Sequence, residues 1–194
     1  VKFPEKIQAI DASLFQVVNR DLANTWFDKI VPWFRYQQTW YPLYIFLLVF
    51  ALMNMGKKAW WWIAGFVITV SASDSINSRL IKSLFERPRP CNDPDMLPYL
   101  TLRVTHCSGG YSFTSTHAAN HFAMAMFVFI TLAPMYGKKY LWWLFVWAGC
   151  VAFAQVYVGV HYPFDVTGGA LVGLSIGAIT GYFFNRKLPL TTLS

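Results

Sequence analysis

The chain has 194 residues, 56% of them hydrophobic and only 13% charged, with a formal charge of +7. Soluble domains carry about 25% charged residues, so the composition excludes an ordinary soluble enzyme and reads as one compact membrane domain. The basic residues fall as loop pairs and one cluster, not as a stripe, which argues against a nucleic-acid partner and for membrane topology and an anionic substrate.

Residues 1–38 are mixed and amphipathic. Ile7, Ile10, Leu14, Phe15 and Val18 recur at helical spacing with polar residues between them, which predicts a helix lying on a membrane surface. A second short interfacial piece follows over 26–34, and no cleavable signal sequence is expected in this segment. Five apolar stretches come next, over 40–55, 59–85, 117–134, 140–160 and 163–185. Each approaches the ~20 residues that cross a bilayer, and the runs are apolar on every face. Nine Trp, ten Tyr and seventeen Phe suit helix ends seated in membrane interfaces. The expected fold is therefore all-α: an integral-membrane helical bundle of about five transmembrane helices with N-terminal interfacial amphipathic helices. Its divisions are 1–38 (interfacial segment), 39–187 (transmembrane domain) and 188–194 (C-terminal tail). Lys57-Lys58, Lys138-Lys139 and Arg186-Lys187 share one side of a five-span arrangement, predicted to be cytoplasmic. The loop between the second and third spans and the junction between the fourth and fifth then face outward.

Polar motifs gather on that outer face. Lys82, Arg87 and Arg89 follow the second span, where Pro88 and Pro90 forbid helix continuation. Such a cluster anchors a helix end or clamps a phosphate, and guanidinium forks match phosphate oxygens. Residues 111–117 bring Ser112, Thr114, Ser115 and Thr116 to the start of the third span, with His117 in its first turn. Hydroxyls there cap a helix, and a helix start also favours a bound phosphate. His161 and Asp165 stand at the junction of the last two spans, with Pro163 between them suited to a first helical turn. A carboxylate reaching one imidazole nitrogen leaves the other as nucleophile. Cys91 and Cys107 flank the outer loop, and an exported compartment permits a disulfide between them; Cys150 reads as a small buried hydrophobe. Asp74 and Asn77 on the second span fit either a structural ion pair or a substrate contact, while His106 and His121 read as a loop and a helix residue.

These fragments resemble the signature of the type 2 phosphatidic acid phosphatase superfamily: Lys-x6-Arg-Pro, then Pro-Ser-Gly-His, then Ser-Arg-x5-His-x3-Asp. The resemblance implies that His161 forms a phosphohistidine, Asp165 orients it, and His117 is the general acid. It also implies that Lys82, Arg89, Ser115 and Thr116 hold the phosphate oxygens, and that no metal or other cofactor is needed. Two of the three motifs depart from the pattern. Thr116 stands at a family glycine, and Ala154 and Gln155 stand at the family's Ser and Arg. Gln155 keeps hydrogen-bond donors but no charge; Arg87 and Arg103 are the cations expected to take up that role.

The implied function is metal-independent hydrolysis of a phosphomonoester or pyrophosphate on a membrane lipid: undecaprenyl pyrophosphate, a lipid A phosphate, phosphatidylglycerol phosphate or phosphatidic acid. The partners implied are that lipid and the bilayer, with no nucleic acid and no obligate protein partner, in a bacterial inner membrane with the site on the periplasmic side. Two other readings stand beside it. One is a catalytically impaired lipid-binding or transport protein, for which Gln155 speaks. The other is vanadate-dependent haloperoxidase chemistry, against which the spans speak.

Overall fold

The computed structural model describes residues 3–190; residues 1–2 and 191–194, and so most of the expected C-terminal tail, lie outside the described residues. Helices and loops make up the described chain, with no strand among the described residues. Helix α1 (Glu5–Gln16) runs on through a π-helical turn at Val17–Asp21. Asn24 then starts α2 (Thr25–Arg35), its side chain accepting from the N–H groups of Trp26 and Phe27 at 3.0 and 3.0 Å. Helix α3 (Tyr41–Asn54) turns at Gly56 into α4 (Lys58–Ser75). The rod of α4 continues through a π-helical turn (Ile76–Ile81) into α5 (Lys82–Phe85), and ends at Glu86 in the left-handed region. After the long loop come α6 (Thr116–Tyr136), α7 (Lys138–Leu141), α8 (Trp143–Tyr157) and α9 (Pro163–Lys187).

By length and hydropathy three helical stretches are able to cross a membrane: Thr116–Tyr136, Lys138–Tyr157 and Pro163–Lys187. By that measure α3 and α4 fall outside the three. With 14 residues, α3 reaches only about 21 Å, short of the ~30 Å hydrocarbon core. The apolar run of α4 is diluted by Trp60, Trp61 and Trp62 and by Ser71, Ser73, Asp74 and Ser75. Both still turn large apolar side chains outward, among them Phe46, Met53, Trp60 and Ile68.

The closest helix pair is α6 with α9. Gly169, Gly173, Gly177 and Gly181 recur every fourth residue on the buried face of α9. A Cβ at Gly173 would stand 2.1 Å from the Ala119 carbonyl oxygen, and one at Gly177 2.4 Å from that of Ala123. Only glycine admits that approach, which is how small residues let membrane helices meet at their backbones. The contact aligns the first turns of α6 and α9, where the Ser115 N–H donates to the Asp165 carbonyl at 2.9 Å. At the opposite end Lys58 donates to the Pro189 carbonyl at 2.7 Å, bringing the start of α4 beside the basic end of α9.

The N-terminal segment faces two ways. Ile7, Ile10 and Leu14 point outward, as the surface-helix reading expects, but the inner face of α1 buries Asp11 and Phe15 completely. Asn19, also fully buried, donates to the carbonyls of Thr101 (2.9 Å) and Tyr157 (2.8 Å) and accepts from the Thr101 N–H at 2.8 Å. Val31 of α2 seats against Ala154 and Tyr157 of α8. Residues 3–38 are thus packed into the helical body.

Candidate active site

The first turn of α9 builds the site's carboxylate. Pro163 occupies the opening position of the helix, and the Tyr162 N–H donates back to Asp165 Oδ2 at 2.7 Å, which closes the cap. Just before it, Gly159 (φ 93°) turns the chain out of α8, and the Val160 and His161 N–H groups fold back onto the Gln155 carbonyl at 3.2 and 3.3 Å. His161 is thereby held 2% exposed.

The two imidazole nitrogens meet different neighbours. Nδ1 lies 3.3 Å from Ser112 Oγ and 3.6 Å from Asp165 Oδ2. Ser112 in turn donates to Asp165 Oδ2 at 2.5 Å, so the hydroxyl bridges a separation too long for a direct hydrogen bond. Nε2 lies 3.0 Å from Arg89 Nη1. A guanidinium has no acceptor, so Nε2 carries the lone pair and Nδ1 the proton. Burial pushes the His161 pKa down to about 4; Asp165 opposes that shift, while the charges of Arg89 and Lys82 add to it. His161 is therefore a neutral base near pH 7, with its free nitrogen turned to a cation.

Asp165 is fully buried and saturated. Besides Ser112 and the Tyr162 N–H, its Oδ1 accepts from Arg87 Nη1 at 2.8 Å. The same Arg87 nitrogen lies 2.7 Å from Asp11 Oδ2 in an ion pair without hydrogen-bond alignment, and the guanidinium stacks 3.9 Å above the Tyr162 ring. Asp11 also accepts from the Phe164 N–H at 2.9 Å. Burial raises the Asp11 pKa, and the Phe164 N–H and Arg87 counter it. Arg87 is thus a clasp between two carboxylates, which corrects its expected place in a phosphate clamp. The same correction applies to Arg103, which binds Asp28 and the carbonyls of Asn19 (2.7 Å) and Tyr157 (3.2 Å), away from His161. Its guanidinium lies where five-donor forks serve well, over converging carbonyls.

Other expected residues converge. Arg89 is buried and tethered through the Gly110 and Val160 carbonyls at 3.3 and 3.2 Å. Lys82 has no hydrogen bond or ion pair among the described residues, yet feels the charges of Arg89, Asp165 and Asp74. Ser115 caps α6, its Oγ accepting from the Ala118 N–H at 3.4 Å. Thr116 Oγ1 accepts from Asn77 at 2.8 Å. Asn77 is fully buried and also donates to the Thr114 carbonyl at 3.1 Å and accepts from the Thr114 hydroxyl, so it fixes the approach to His117. Gln155 is fully buried, and neither atom of its amide head has a partner. Cys91 and Cys107 are joined in a disulfide (Cα–Cα 5.8 Å) packed against Val158 and Val160, directly behind His161.

His117 lies within electrostatic reach of His161, Arg89 and Arg35. It also lines a cavity of about 440 Å³ between α3, α4 and α6. Phe66, Val67 and Met124 make the cavity apolar, while Asp74 and Asn120 (Nδ2 to Oδ1, 3.3 Å) form a polar wall near the histidine. A buried nucleophilic nitrogen, cations around it, and a second histidine at the mouth of a mostly apolar cavity can transfer a phosphoryl group from an amphiphile. Among the described residues no three His, Cys, Asp or Glu side chains group as a metal site would.

Ser112 and Asp11 escaped the sequence reading. Ser112 reads only as one of several hydroxyls at the start of α6, with nothing to mark it out. Asp11 looks like a solvent-facing residue of an amphipathic helix; its one signal is that it falls between Ile7 and Phe15 on the apolar face.

The PAP2 superfamily model matches residues 40–189. A lipid A 4'-phosphatase of Bacteroides thetaiotaomicron is 29% identical over 187 residues, 95% of this chain and 80% of that protein. One of Porphyromonas gingivalis is 28% identical over 174 residues, 89% of this chain and 72% of that protein. Among solved structures, Aquifex aeolicus LpxE superimposes with a TM-score of 0.64 at 26% identity, covering 88% of this chain and 94% of that one. The transmembrane PAP2 type phosphatidylglycerolphosphate phosphatase of Bacillus subtilis does so with a TM-score of 0.72 at 19% identity, covering 95% and 89%, a likeness of fold.

Proposed function

This chain belongs to the PAP2 superfamily and is an integral-membrane lipid phosphatase, and from that premise we propose that it removes a phosphate monoester from a lipid A-type sugar lipid through a phosphohistidine on His161. The observation that carries this reading is the fixed tautomer of His161, with Nδ1 turned to Ser112 and Asp165 and Nε2 facing Arg89. Nε2 attacks the phosphorus as the bond to the sugar oxygen breaks, and His117 gives that oxygen its proton. A water then loses its proton to His117 and displaces His161, which releases inorganic phosphate. Lys82 and Arg89 neutralise the equatorial oxygens, while the backbone at Ser115 and Thr116 adds the positive end of α6. Catalysis is thus positioning and charge.

Two features favour a sugar monoester over a pyrophosphate. Both relatives named above act, by name, on lipid A. The cavity beside His117 also bears the Asp74 carboxylate. A carboxylate there repels a second phosphate on the leaving group and accepts hydrogen bonds from hydroxyl or amide N–H groups. The site is assigned to the periplasmic side of an inner membrane, with the basic ends of α4, α7 and α9 cytoplasmic.

The test is phosphate release by the purified protein and by His161→Ala in detergent with chelator present. The panel is lipid A, undecaprenyl pyrophosphate, phosphatidylglycerol phosphate and phosphatidic acid. Release that is greatest on lipid A and absent in the variant, with an acid-labile, base-stable phosphoprotein trapped in the wild type, is the expected result. The bare amide of Gln155 favours a second reading, a phospholipid-binding protein that no longer turns over; equal release by wild type and His161→Ala would select it. Labelling of Tyr99→Cys only from the cytoplasmic side of sealed vesicles would reverse the orientation.

A further inference from the structure

Four arginines are buried or half-buried, and three have been accounted for: Arg87 clasps two carboxylates, Arg103 binds Asp28, and Arg89 faces His161. The fourth is Arg35, the last residue of α2. Its Nη2 donates to Ser108 Oγ at 3.0 Å. Its Nε is buried and has no partner, and among the described residues no carboxylate pairs with it. Burial lowers its pKa, the Tyr36 side chain opposing, but a guanidinium stays charged across the working range. The Arg35 charge bears on Arg89 and on His117. Arg35 and Arg89 therefore bear on one another, and Arg35 on the second histidine, and neither guanidinium has an ion pair among the described residues.

The packing of α2 explains how Arg35 arrives there. Val31, one turn earlier on the same helical face, seats on Ala154 of α8. Ala154 is the neighbour of Gln155, the position where the family pattern carries an arginine. Gln155 is uncharged and its amide head has no partner. The charge missing from α8 is thus met by a charge brought in across the α2–α8 contact.

We infer that Arg35 is the second guanidinium of the phosphate clamp, supplied from α2 in place of the family arginine whose position Gln155 occupies. The inference rests on the phosphohistidine reading of His161. Arg35 and Arg89 hold two equatorial oxygens of the phosphoryl group, and the Gln155 amide is left to donate a neutral hydrogen bond from below.

The experiment compares wild type, Arg35→Ala, Arg35→Lys and the double variant Arg35→Ala/Gln155→Arg, each purified as the full chain in detergent. Two quantities are read: kcat/KM for phosphate release from lipid A, and the inhibition constant of orthovanadate. Loss of one preorganised donor at a developing charge costs about 10²–10³ in rate, so Arg35→Ala is expected to fall by that factor and to bind vanadate more weakly. Arg35→Lys keeps the charge without the fork and recovers part of both. The double variant returns the guanidinium to α8 and is expected to exceed Arg35→Ala by at least about tenfold. An Arg35→Ala protein within about threefold of wild type in both quantities overturns the inference. So does a loss of rate with unchanged vanadate affinity and no rescue by the double variant, because that pattern belongs to a purely structural residue. If Arg35→Ala does not fold, Arg35→Gln replaces it and the same criteria apply. If wild type releases no more phosphate than His161→Ala, the functional reading falls separately. Arg35 is then judged by vanadate protection against thermal unfolding: protection lost in Arg35→Gln supports it, and protection retained overturns it.

Discussion

The two sides of His161 use their polar groups in opposite ways. On the Nδ1 side, Asp165 accepts from Ser112, the Tyr162 N–H and Arg87, and Arg87 reaches on to Asp11, so each charge has a counter-charge. On the Nε2 side the ring faces Arg89, and neither Arg89 nor Lys82, whose charge also bears on His161, forms an ion pair among the described residues. The first arrangement is a scaffold: it fixes a tautomer and a ring orientation and is complete without substrate. The second, on the phosphohistidine reading, holds phosphate with charges set in place in advance. Preorganised charge of this kind costs stability in the empty protein and lowers the barrier when phosphate arrives. The difference predicts that the two sides fail differently when cut.

The largest effect is expected from Asp165→Asn. It keeps the shape but removes the charge that holds the Nδ1 proton, and loss of such an orienting carboxylate costs about 10⁴ in turnover where a serine–histidine pair depends on one. Arg87→Met tests the same side from its other end. It leaves Asp11 and Asp165 buried side by side without a cation, a change expected to cost about 3–5 kcal/mol of stability. Chemical denaturation in detergent, read beside kcat, checks both. An Arg87→Met protein as stable as wild type would break the claim that this side is scaffold.

Lys82→Ala should behave in the opposite sense. It removes a cation with no ion pair among the described residues, so the melting temperature is expected to hold or rise while kcat/KM falls by about 10²-fold. A fall in melting temperature like that of Arg87→Met would erase the distinction.

A third expectation concerns pH. His161 in the folded protein titrates at about 4, below the ordinary histidine value of about 6.5. Between those values the unfolded chain binds a proton that the folded one does not. The stability His161 contributes is therefore present above pH ~6.5 and declines as pH falls toward ~4. The nucleophile is neutral over the same window, so the acid limb of kcat/KM assigned to it is expected near pH 4, read by phosphoenzyme formation in single turnovers. A limb near 6.5 that moves in Arg89→Gln would mean that the ring is wetter and less cation-bound than its 2% exposure implies.

Much of this was legible along the chain, for identifiable reasons. Long apolar runs and proline-punctuated junctions located α6, α8 and α9, and the spacing of Lys82, Arg89, His117, His161 and Asp165 carried the chemistry to one face. What could not be read was pairing across distance. Arg87 and Arg103 looked like free cations because their carboxylates, Asp11 and Asp28, come from a segment whose periodicity speaks only of an amphipathic surface helix. Nothing in the sequence marks Arg35, and only the seating of Val31 on Ala154 shows where the end of α2 goes. Five apolar runs suggested five spans; in α4 the run is diluted by interfacial Trp and by the serines and Asp74 that approach the cavity. The every-fourth glycines of α9 carried a readable signal, small residues on one helix face, that apolar content alone hides.

Those glycines offer the finest way to separate scaffold from clamp. At Gly169 an added Cβ would lie 2.4 Å from the Ser115 carbonyl oxygen, beside the cap that starts α6 and one turn from Asp165. At Gly181 it would meet only Ile130 side-chain carbons, the nearest at 3.1 Å, at the far end of the helix pair. A side chain can give by tenths of an ångström, whereas a helix backbone moves as a body. Gly169→Ala should therefore cost about 1–3 kcal/mol and push the first turn of α6 from that of α9. Because His117 rides on one turn and Asp165 on the other, an error of about 1 Å there is enough to cost 10²-fold in rate. Gly181→Ala should cost less than about 1 kcal/mol and leave kcat within about twofold of wild type. Denaturation midpoints and phosphate release for the two alanine variants decide it. Equal losses of activity would mean that α6 and α9 shift as a rigid pair, so that registration of the two histidines is set elsewhere, with the Cys91–Cys107 disulfide packed behind His161 the next place to cut.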